Sequence, residues 1–382
     1  MIYDRRWKKI TLSNKFISES CCFIYPNNDE SRIGIVAGQW IWTFDGRKKK
    51  IRDIEDSWLP PWPYNNKEDI HAKLRKGGGP PQYKADTYDF AVDLSRNGYQ
   101  DIITVGMHKD PICWYENPGK SDQKWDKHII TSGGIYESVC FGDLFGTGKQ
   151  QLITIPQKPH IAWYEPQQDI RQLWNKYIIS ELDGDWHGLG IADVNNDGCM
   201  EVLTKNNIYS FNLDRSKLWK RNNVLVIDEN EDVSEGFGDV FSLQAVHWQA
   251  KSKYPVIFST CPHGFGFYYW VLEEMKPQCF VYRRYKICDT VSQLHNLKII
   301  DFNNEIYAIT GKRYWAHGKD GDIDANGKAY LLYYKIDCDG KGCCYIIDDN
   351  SGAGICSDAI VYHNKLYLAT SNKKGLFLFV KE

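Results

Sequence analysis

The chain has 382 residues, and 47 lysines and arginines against 49 aspartates and glutamates give it a formal net charge of −2. That balance excludes the basic field a nucleic-acid binder needs and any strongly acidic tail. No run of 18 apolar residues exists, so no membrane-spanning helix is predicted, while aromatic residues at 14% favour strands and flat ligands such as sugar rings.

The chain starts Met1-Ile-Tyr-Asp-Arg-Arg-Trp7, without the apolar region of a signal peptide. The 12 cysteines include no CxxC pair, and the doublets Cys21-Cys22 and Cys343-Cys344 suit no zinc spacing. The expectation is a cytoplasmic protein with mostly buried free thiols. A secreted chain trimmed of its leader is the alternative.

Read in chain order, Trp7–Leu12 is an outer strand in search of a sheet. Candidate innermost strands follow at Ser20–Tyr25, Phe90–Leu94, Val139–Leu144, Leu189–Val194, Val240–Val246, Leu297–Phe302 and Ala359–Tyr362. After each comes a β-branched and aromatic hairpin with Gly, Asn, Lys or Pro at its turn: 32–43, 101–116, 151–165, 201–213, 255–270, 305–335 and 365–380. Outer strands follow six of these, as in Trp125–Ile130 and its echo Trp174–Ile179. The last unit has none, because the chain ends at Glu382, so Trp7–Leu12 is expected to complete it and close the ring. The segment from about 45 to 85 breaks the period. It carries Trp58, Trp62 and Tyr64 and reads as an insertion in the first blade, with the length of a lid.

A period of about 50 residues with four strand-like runs per unit is the signature of a propeller blade. Asp93, Asp143 and Asp193 mark it, each followed five residues later by Gly98, Gly148 or Gly198. The expected fold is therefore one all-β domain over residues 1–382, a seven-bladed β-propeller of four-stranded antiparallel blades closed by the N-terminal strand.

Within the third loop, Asp193, Asn195, Asp197 and Glu201 fall at positions 1, 3, 5 and 9, with the Cys199 carbonyl as a further oxygen. Alternate residues of a tight loop point inward, and a hard cation wants six to eight oxygens, so a structural Ca2+ is expected. The alternative is an Asx-type turn without metal. The second unit offers a weaker set in Asp93, Ser95, Asn97 and Asp101. The Asp143 loop of the third unit, with Phe145, Thr147 and Gln151, cannot hold a dication, so the loop shape is inherited and the metal optional.

These apolar-strand, DxNxDG-loop, aromatic-strand units resemble the FG-GAP/VCBS-type propellers, most strongly over residues 86–213. The stretches Leu294-His-Asn, Thr310–Gly318 and Thr370–Gly375 resemble a bacterial subset of enzyme-like type. More distantly, the chain resembles the propeller of aldos-2-ulose dehydratases, which eliminate water from keto-sugars. It lacks the cupin domains those proteins carry.

Blade topology assigns a face to each loop. Residues before innermost strands and those in the second hairpin turn share the face opposite the Asp–Gly loops. That face collects Glu137, Tyr88, Lys312, Arg313, Tyr314, Trp315 and Lys373, and six of the ten histidines: His108, His160, His187, His263, His295 and His317. His187, His263 and His295 with Glu137 suit either a second divalent metal or general acid–base catalysis. Lys312 and Arg313 suit an enolate or carboxylate. Tyr88 is a further catalytic candidate, and Tyr314 and Trp315 suit a sugar face. His108, His160, His317 and Lys373 are candidate substrate contacts. Any one of these histidines alone reads equally well as a ring bonded to backbone near a turn.

The function expected is a carbon–oxygen lyase or dehydratase acting on a uronic or keto sugar by proton abstraction and β-elimination. The alternatives are a non-catalytic carbohydrate- or protein-binding propeller and a glycoside hydrolase. No GxSxG, HExxH or P-loop pattern competes with these readings.

Overall fold

The computed structural model describes residues 1–26, 32–53, 86–106, 111–119, 123–134, 136–157, 159–185, 187–211, 219–316, 322–337 and 340–381. Among these the chain is all β. After β1 (Ile2–Tyr3) and β2 (Trp7–Ser13), the first sheet holds β3 (Cys22–Ile24), β4 (Gly34–Ala37), β5 (Trp40–Trp42) and β6 (Lys48–Lys50). The second holds β7 (Asp86–Val92), β8 (Asp101–Gly106), β9 (Cys113–Glu116) and β10 (Asp126–Ile129). The third holds β11 (Val139–Gly142), β12 (Gln151–Gln157), β13 (His160–Glu165) and β14 (Asn175–Ser180).

The next strands are β15 (Leu189–Ala192), β16 (Glu201–Thr204), β17 (Asn207–Ser210), β18 (Lys220–Ile227), β19 (Val233–Glu235), β20 (Leu243–Val246), β21 (Val256–Thr260), β22 (Phe265–Lys276) and β23 (Cys279–Ser292). They form one sheet of nine strands. A five-stranded sheet joins β24 (Lys298–Phe302), β25 (Glu305–Gly311), β26 (Leu331–Ile336) and β27 (Gly342–Asp348) to β1. The last sheet joins β28 (Asp358–Tyr362), β29 (Lys365–Asn372) and β30 (Gly375–Lys381) to β2.

The arrangement is a β-propeller, with two corrections to the sequence expectation. Among the described residues it has five separate four- or five-stranded blades and one nine-stranded sheet, not seven blades, because residues 189–292 do not divide into two four-stranded sheets. The cause is β22 and β23, which run to 12 and 14 residues, beyond an ordinary blade strand. The start of β23 thereby reaches β18, and Asn223–Ile227 pair in parallel with Cys279–Arg283. A periodic pattern marks a strand but not the partner at its outer edge. The second correction concerns the N-terminus. The Trp7–Leu12 stretch pairs antiparallel with β30, and β1 pairs in parallel with β27. The chain start thus supplies edge strands to two sheets, and closure of a ring does not follow from that pairing.

The first strands β3, β7, β11, β15, β20, β24 and β28 all line one central cavity of about 670 Å³. The nine-stranded sheet begins and ends there, since β15 and β20 are its two outermost members. Their approach depends on Gly190, where a Cβ would collide with the Leu243 carbonyl. Apolar layers between sheets carry the core, for example Tyr88, Ile103, Trp114, Leu152 and Tyr164 between the second and third sheets. Buried charges bridge neighbours too: Arg52 and Asp89, both fully buried, pair at 2.8 Å. Most of the 45–85 insertion, residues 54–85, lies outside the described residues.

Candidate active site at the axial mouth

Three imidazoles meet at one end of the axis. Ring centroids lie 4.8 Å apart for His187 and His263, 6.0 Å for His187 and His295, and 6.2 Å for His263 and His295. Each comes from a place the blade topology assigns to this face. His187 precedes β15, His263 lies in the β21–β22 turn, and His295 precedes β24. Phe241, before β20, sits 5.0 Å from both His187 and His295 and also lines the cavity. The close approach at Gly190 brings the His187 and Asp239 segments side by side.

His263 and His295 each have a hydrogen-bond acceptor, and His187 stands near a carboxylate. Nδ1 of His263 lies 3.1 Å from Asp239 Oδ1, and the His263 amide donates to Asp239 Oδ2 at 3.3 Å. The Asp239 hydrogen bond lifts the His263 imidazole above its ordinary pKa, against burial. Burial works to raise Asp239, but the hydrogen bond and charge of His263 outweigh it and hold the carboxyl low. Nδ1 of His295 lies 3.1 Å from the Gln293 carbonyl. A carbonyl only accepts, so Nδ1 carries a proton. His187 Nε2 lies 3.8 Å from Glu137 Oε2. One ligand atom each from His187, Asp239 and His263 lie within 4.8 Å of one another. Two imidazole nitrogens and a carboxylate oxygen suit a divalent transition metal.

The other sequence candidates fall differently. Lys312 is fully buried, and its ammonium bonds the Asp324 carbonyl and Asp324 Oδ2, the latter at 2.7 Å. Arg313 Nε donates to Glu19 Oε2 at 3.2 Å, and Lys373 Nζ to Glu19 Oε1 at 2.6 Å. Burial opposes the Glu19 charge, yet Arg313 and Lys373 prevail and keep its pKa low. These three cations are therefore committed to carboxylates that tie sheets together. Tyr88 donates to the Glu137 carbonyl at 3.0 Å, and burial pushes its phenol well above the ordinary range. It positions Glu137 and is unsuited to act as a base. Tyr314 and Trp315 stack at 4.5 Å, with the Lys374 ammonium 4.1 Å from the Tyr314 ring. Trp315 holds a φ of 52°, an uncommon value for a bulky residue. His160 begins β13 without a ring contact to the three imidazoles among the described residues. His108 and His317 lie outside the described residues.

Two residues of this site carried no signal that the sequence reading used for it. Asp239 precedes β20, a position blade topology assigns to this face, but nothing in its spacing marks it as the partner of His263. Glu19 precedes β3 on the same face, and its pairing with Arg313 and Lys373 likewise leaves no mark in the spacing. Spacing shows the face and not which chains meet across it.

The Asp193 loop sits at the opposite end of β15. Asp193 accepts from the Asp197 and Gly198 amides at 3.1 and 2.9 Å. Asp93 and Asp143 make the same pair of bonds to residues four and five positions on. Position 9 also closes each loop: Gln151 and Glu201 accept from the Leu144 and Val194 amides, one residue after the aspartate, at 2.8 and 3.0 Å, and Asp101 accepts from the Ser95 amide, two residues after it, at 2.8 Å. Self-satisfied Asx-type turns thus give all three loops one shape, including the one with Thr147 and Gln151. Asn195 donates to Asp197 and Glu201, and Cys199 N donates to Asp197. Burial, with Asp197 and Asp193 nearby, pushes the Glu201 carboxyl up to about 8.

No family model and no curated protein matches this chain. Solved structures resemble it in fold. An ancestral GH74 enzyme aligns with a TM-score of 0.52 at 11% identity, over 97% of this chain and 48% of that one. YCF48 from Cyanidioschyzon merolae aligns with a TM-score of 0.49 at 10% identity, over 98% of each chain. The V. cholerae biofilm matrix protein Bap1 gives a TM-score of 0.40 at 12% identity, over 96% of this chain and 67% of that one. At such identities the likeness is one of fold.

Proposed function

We propose that the axial mouth is the active site of a carbohydrate-active carbon–oxygen lyase. The observation that carries this reading is the pair His187 and His263, 4.8 Å apart, each beside its own carboxylate. In this mechanism His187 removes the proton next to the carbonyl or carboxylate of a keto or uronic sugar. The freed electron pair forms the enolate, then the new double bond, as the neighbouring C–O bond breaks. His263, held by Asp239, gives a proton to the departing oxygen, which leaves as water or an alcohol. Proton exchange with solvent restores both rings. The stacked Tyr314–Trp315 pair supports a sugar ligand at the rim. The ancestral GH74 enzyme shares the fold only.

A second reading places a divalent transition metal on His187, Asp239 and His263, favoured by their donor atoms' mutual reach. Such an ion would supply Lewis-acid stabilisation of the enolate oxygen, the role the sequence offered to Lys312 and Arg313. We also read the repeats as FG-GAP/VCBS-type, on the shared hydrogen bonding of the Asp93, Asp143 and Asp193 loops. The likeness to an aldos-2-ulose dehydratase propeller belongs to the same proposal.

The test is a screen of uronate and keto-sugar panels for the ultraviolet absorbance of a new conjugated double bond, with metal analysis of the purified protein. Wild type should turn over a panel member, and His187→Ala and His263→Ala should each lose at least about a hundredfold in kcat. Release of reducing ends without new absorbance would replace the lyase by a glycosidase. Sugar binding without any turnover would replace it by a lectin.

A further inference from the structure

The central cavity carries a charged pair that the imidazoles do not use. Lys298 opens β24 and Asp358 opens β28, two strands that lie side by side, and both residues line the cavity. Lys298 Nζ lies 2.7 Å from Asp358 Oδ1, with 37% of the lysine side chain and 17% of the aspartate side chain exposed. The Phe23 amide donates to Asp358 Oδ2 at 2.9 Å, and the Ala359 amide to Oδ1 at 2.9 Å. Those amides fix the carboxylate. Its charge raises the Lys298 pKa against burial, so the pair stays ionised. Lys298 is the only lysine or arginine among the described residues that line the cavity.

The pair has hydrogen-bonding capacity to spare. An ammonium carries three donors, and Asp358 takes one of them. Asp358 Oδ2 keeps a lone pair beyond its bond from Phe23. A donor beside an acceptor is completed by two neighbouring hydroxyls of a sugar ring, one accepting from Nζ and the other donating to Oδ2. The facing wall is aromatic. Phe90 and Phe141, both half-buried, line the cavity with ring centroids 5.8 Å apart. β24 and β28 reach β7 by way of β3, and β11 by way of β20 and β15, so these rings stand across the cavity from the pair. Phe90, Lys298 and Asp358 also share one level, because each is opposite the residue just before a buried threonine, Thr104, Thr310 or Thr370. An aromatic face across from a polar clasp suits a sugar ring, which is apolar on its faces and polar at its edge. The imidazoles are outside this space. Phe241, 5.0 Å from the His187 and His295 rings, is the residue that touches them and lines the cavity as well. A sugar ring at the imidazoles and one in the cavity are therefore two units of one ligand, and about 670 Å³ is in the usual range for a small ligand.

We propose that Lys298, Asp358 and Phe90 form a second sugar subsite inside the cavity, so that the ligand is an oligosaccharide with one unit at the imidazoles and its neighbour in the cavity, a step that rests on the carbohydrate reading of this site. All three residues bind the ligand away from the reacting atoms.

Calorimetric titration with D-galacturonate and digalacturonate, and with D-glucose and cellobiose, tests this. Wild type should bind at least one dimer about tenfold or more tighter than its monomer, the scale of a charge-assisted hydrogen bond. Lys298→Met removes the donors and should erase that preference while leaving monomer affinity unchanged. Phe90→Leu keeps the ion pair and removes the aromatic face, so dimer affinity should fall about threefold to tenfold. That variant carries the test if Lys298→Met does not fold, which a sugar-free melt reports. A wild type that binds none of the four sugars, dimers bound no tighter than monomers, or a full dimer preference in either folded variant overturns the proposal. A dimer preference lost in the variants of a protein that never turns over upholds the subsite while sinking the lyase reading.

Discussion

Asp239 and Glu201 show how one functional group, the carboxyl, serves two ends. Asp239 is held charged by His263 and in turn fixes that ring, so Asp239→Asn should cut kcat at least tenfold with little change in stability; steady-state kinetics beside a melt would check this. Glu201 is a buried carboxyl lifted to about 8 at the far end of the same blade region. The folded state therefore holds a proton that the unfolded chain releases near its ordinary value of 4.5. By linkage, stability should fall as pH rises from about 4.5 to about 8. Glu201→Gln should abolish that slope and stabilise the protein by roughly 1 kcal/mol or more at pH 8, because Gln151 makes the equivalent bond in the preceding loop. If the loop takes calcium, as its donor types suit, added Ca2+ should raise the wild-type melting point at pH 8 and leave Glu201→Gln unmoved. A calcium response retained in that variant would count against a role for Glu201. His187, His263 and His295 were legible as members of one face, since blade topology sends these turns to one end. The pairing of Asp239 with His263 was not, because it depends on two turns of one blade meeting.

At the scale of elements, the loops and the first strands decide where chemistry stands. The first strands come close enough to set three imidazoles in contact because residues such as Gly190 carry no side chain. Gly190→Ala should push β15 from β20, lower activity more than tenfold and destabilise by about 1–3 kcal/mol, read by kinetics and denaturant melts. The charged triad fastens the first strand's entry to two hairpins further along the chain. Glu19→Ala leaves Arg313 and Lys373 buried without their carboxylate, and should cost about 3–5 kcal/mol. A loss below about 1 kcal/mol in urea titration would mean the triad is not a structural clamp. Glu19 has a depressed pKa, so its contribution is present above about 4.5 and declines as pH falls.

For the whole molecule, the long-range β pairing joins residues far apart in the chain. The nine-stranded sheet should protect amides of Asn223–Ile227 as strongly as those of Cys279–Arg283 in hydrogen exchange, since the two pair directly. Removal of residues 1–13 would bare the β30 edge with Phe377 and Phe379, and light scattering should report association. Much of this was written in the chain. The 50-residue recurrence, the β-branched and aromatic hairpins and the Asp–Gly spacing determined that this is a β-propeller and that the turns of His187, His263 and His295 share its axial mouth. Those are local properties, set by strand periodicity and turn chemistry. The number of separate sheets, the commitment of Lys312, Arg313 and Lys373 to carboxylates, and the pairing of Lys298 with Asp358 were decided only by tertiary structure. They depend on which edges and side chains meet across the axis, and a pairing between distant residues leaves no periodic trace in a single sequence.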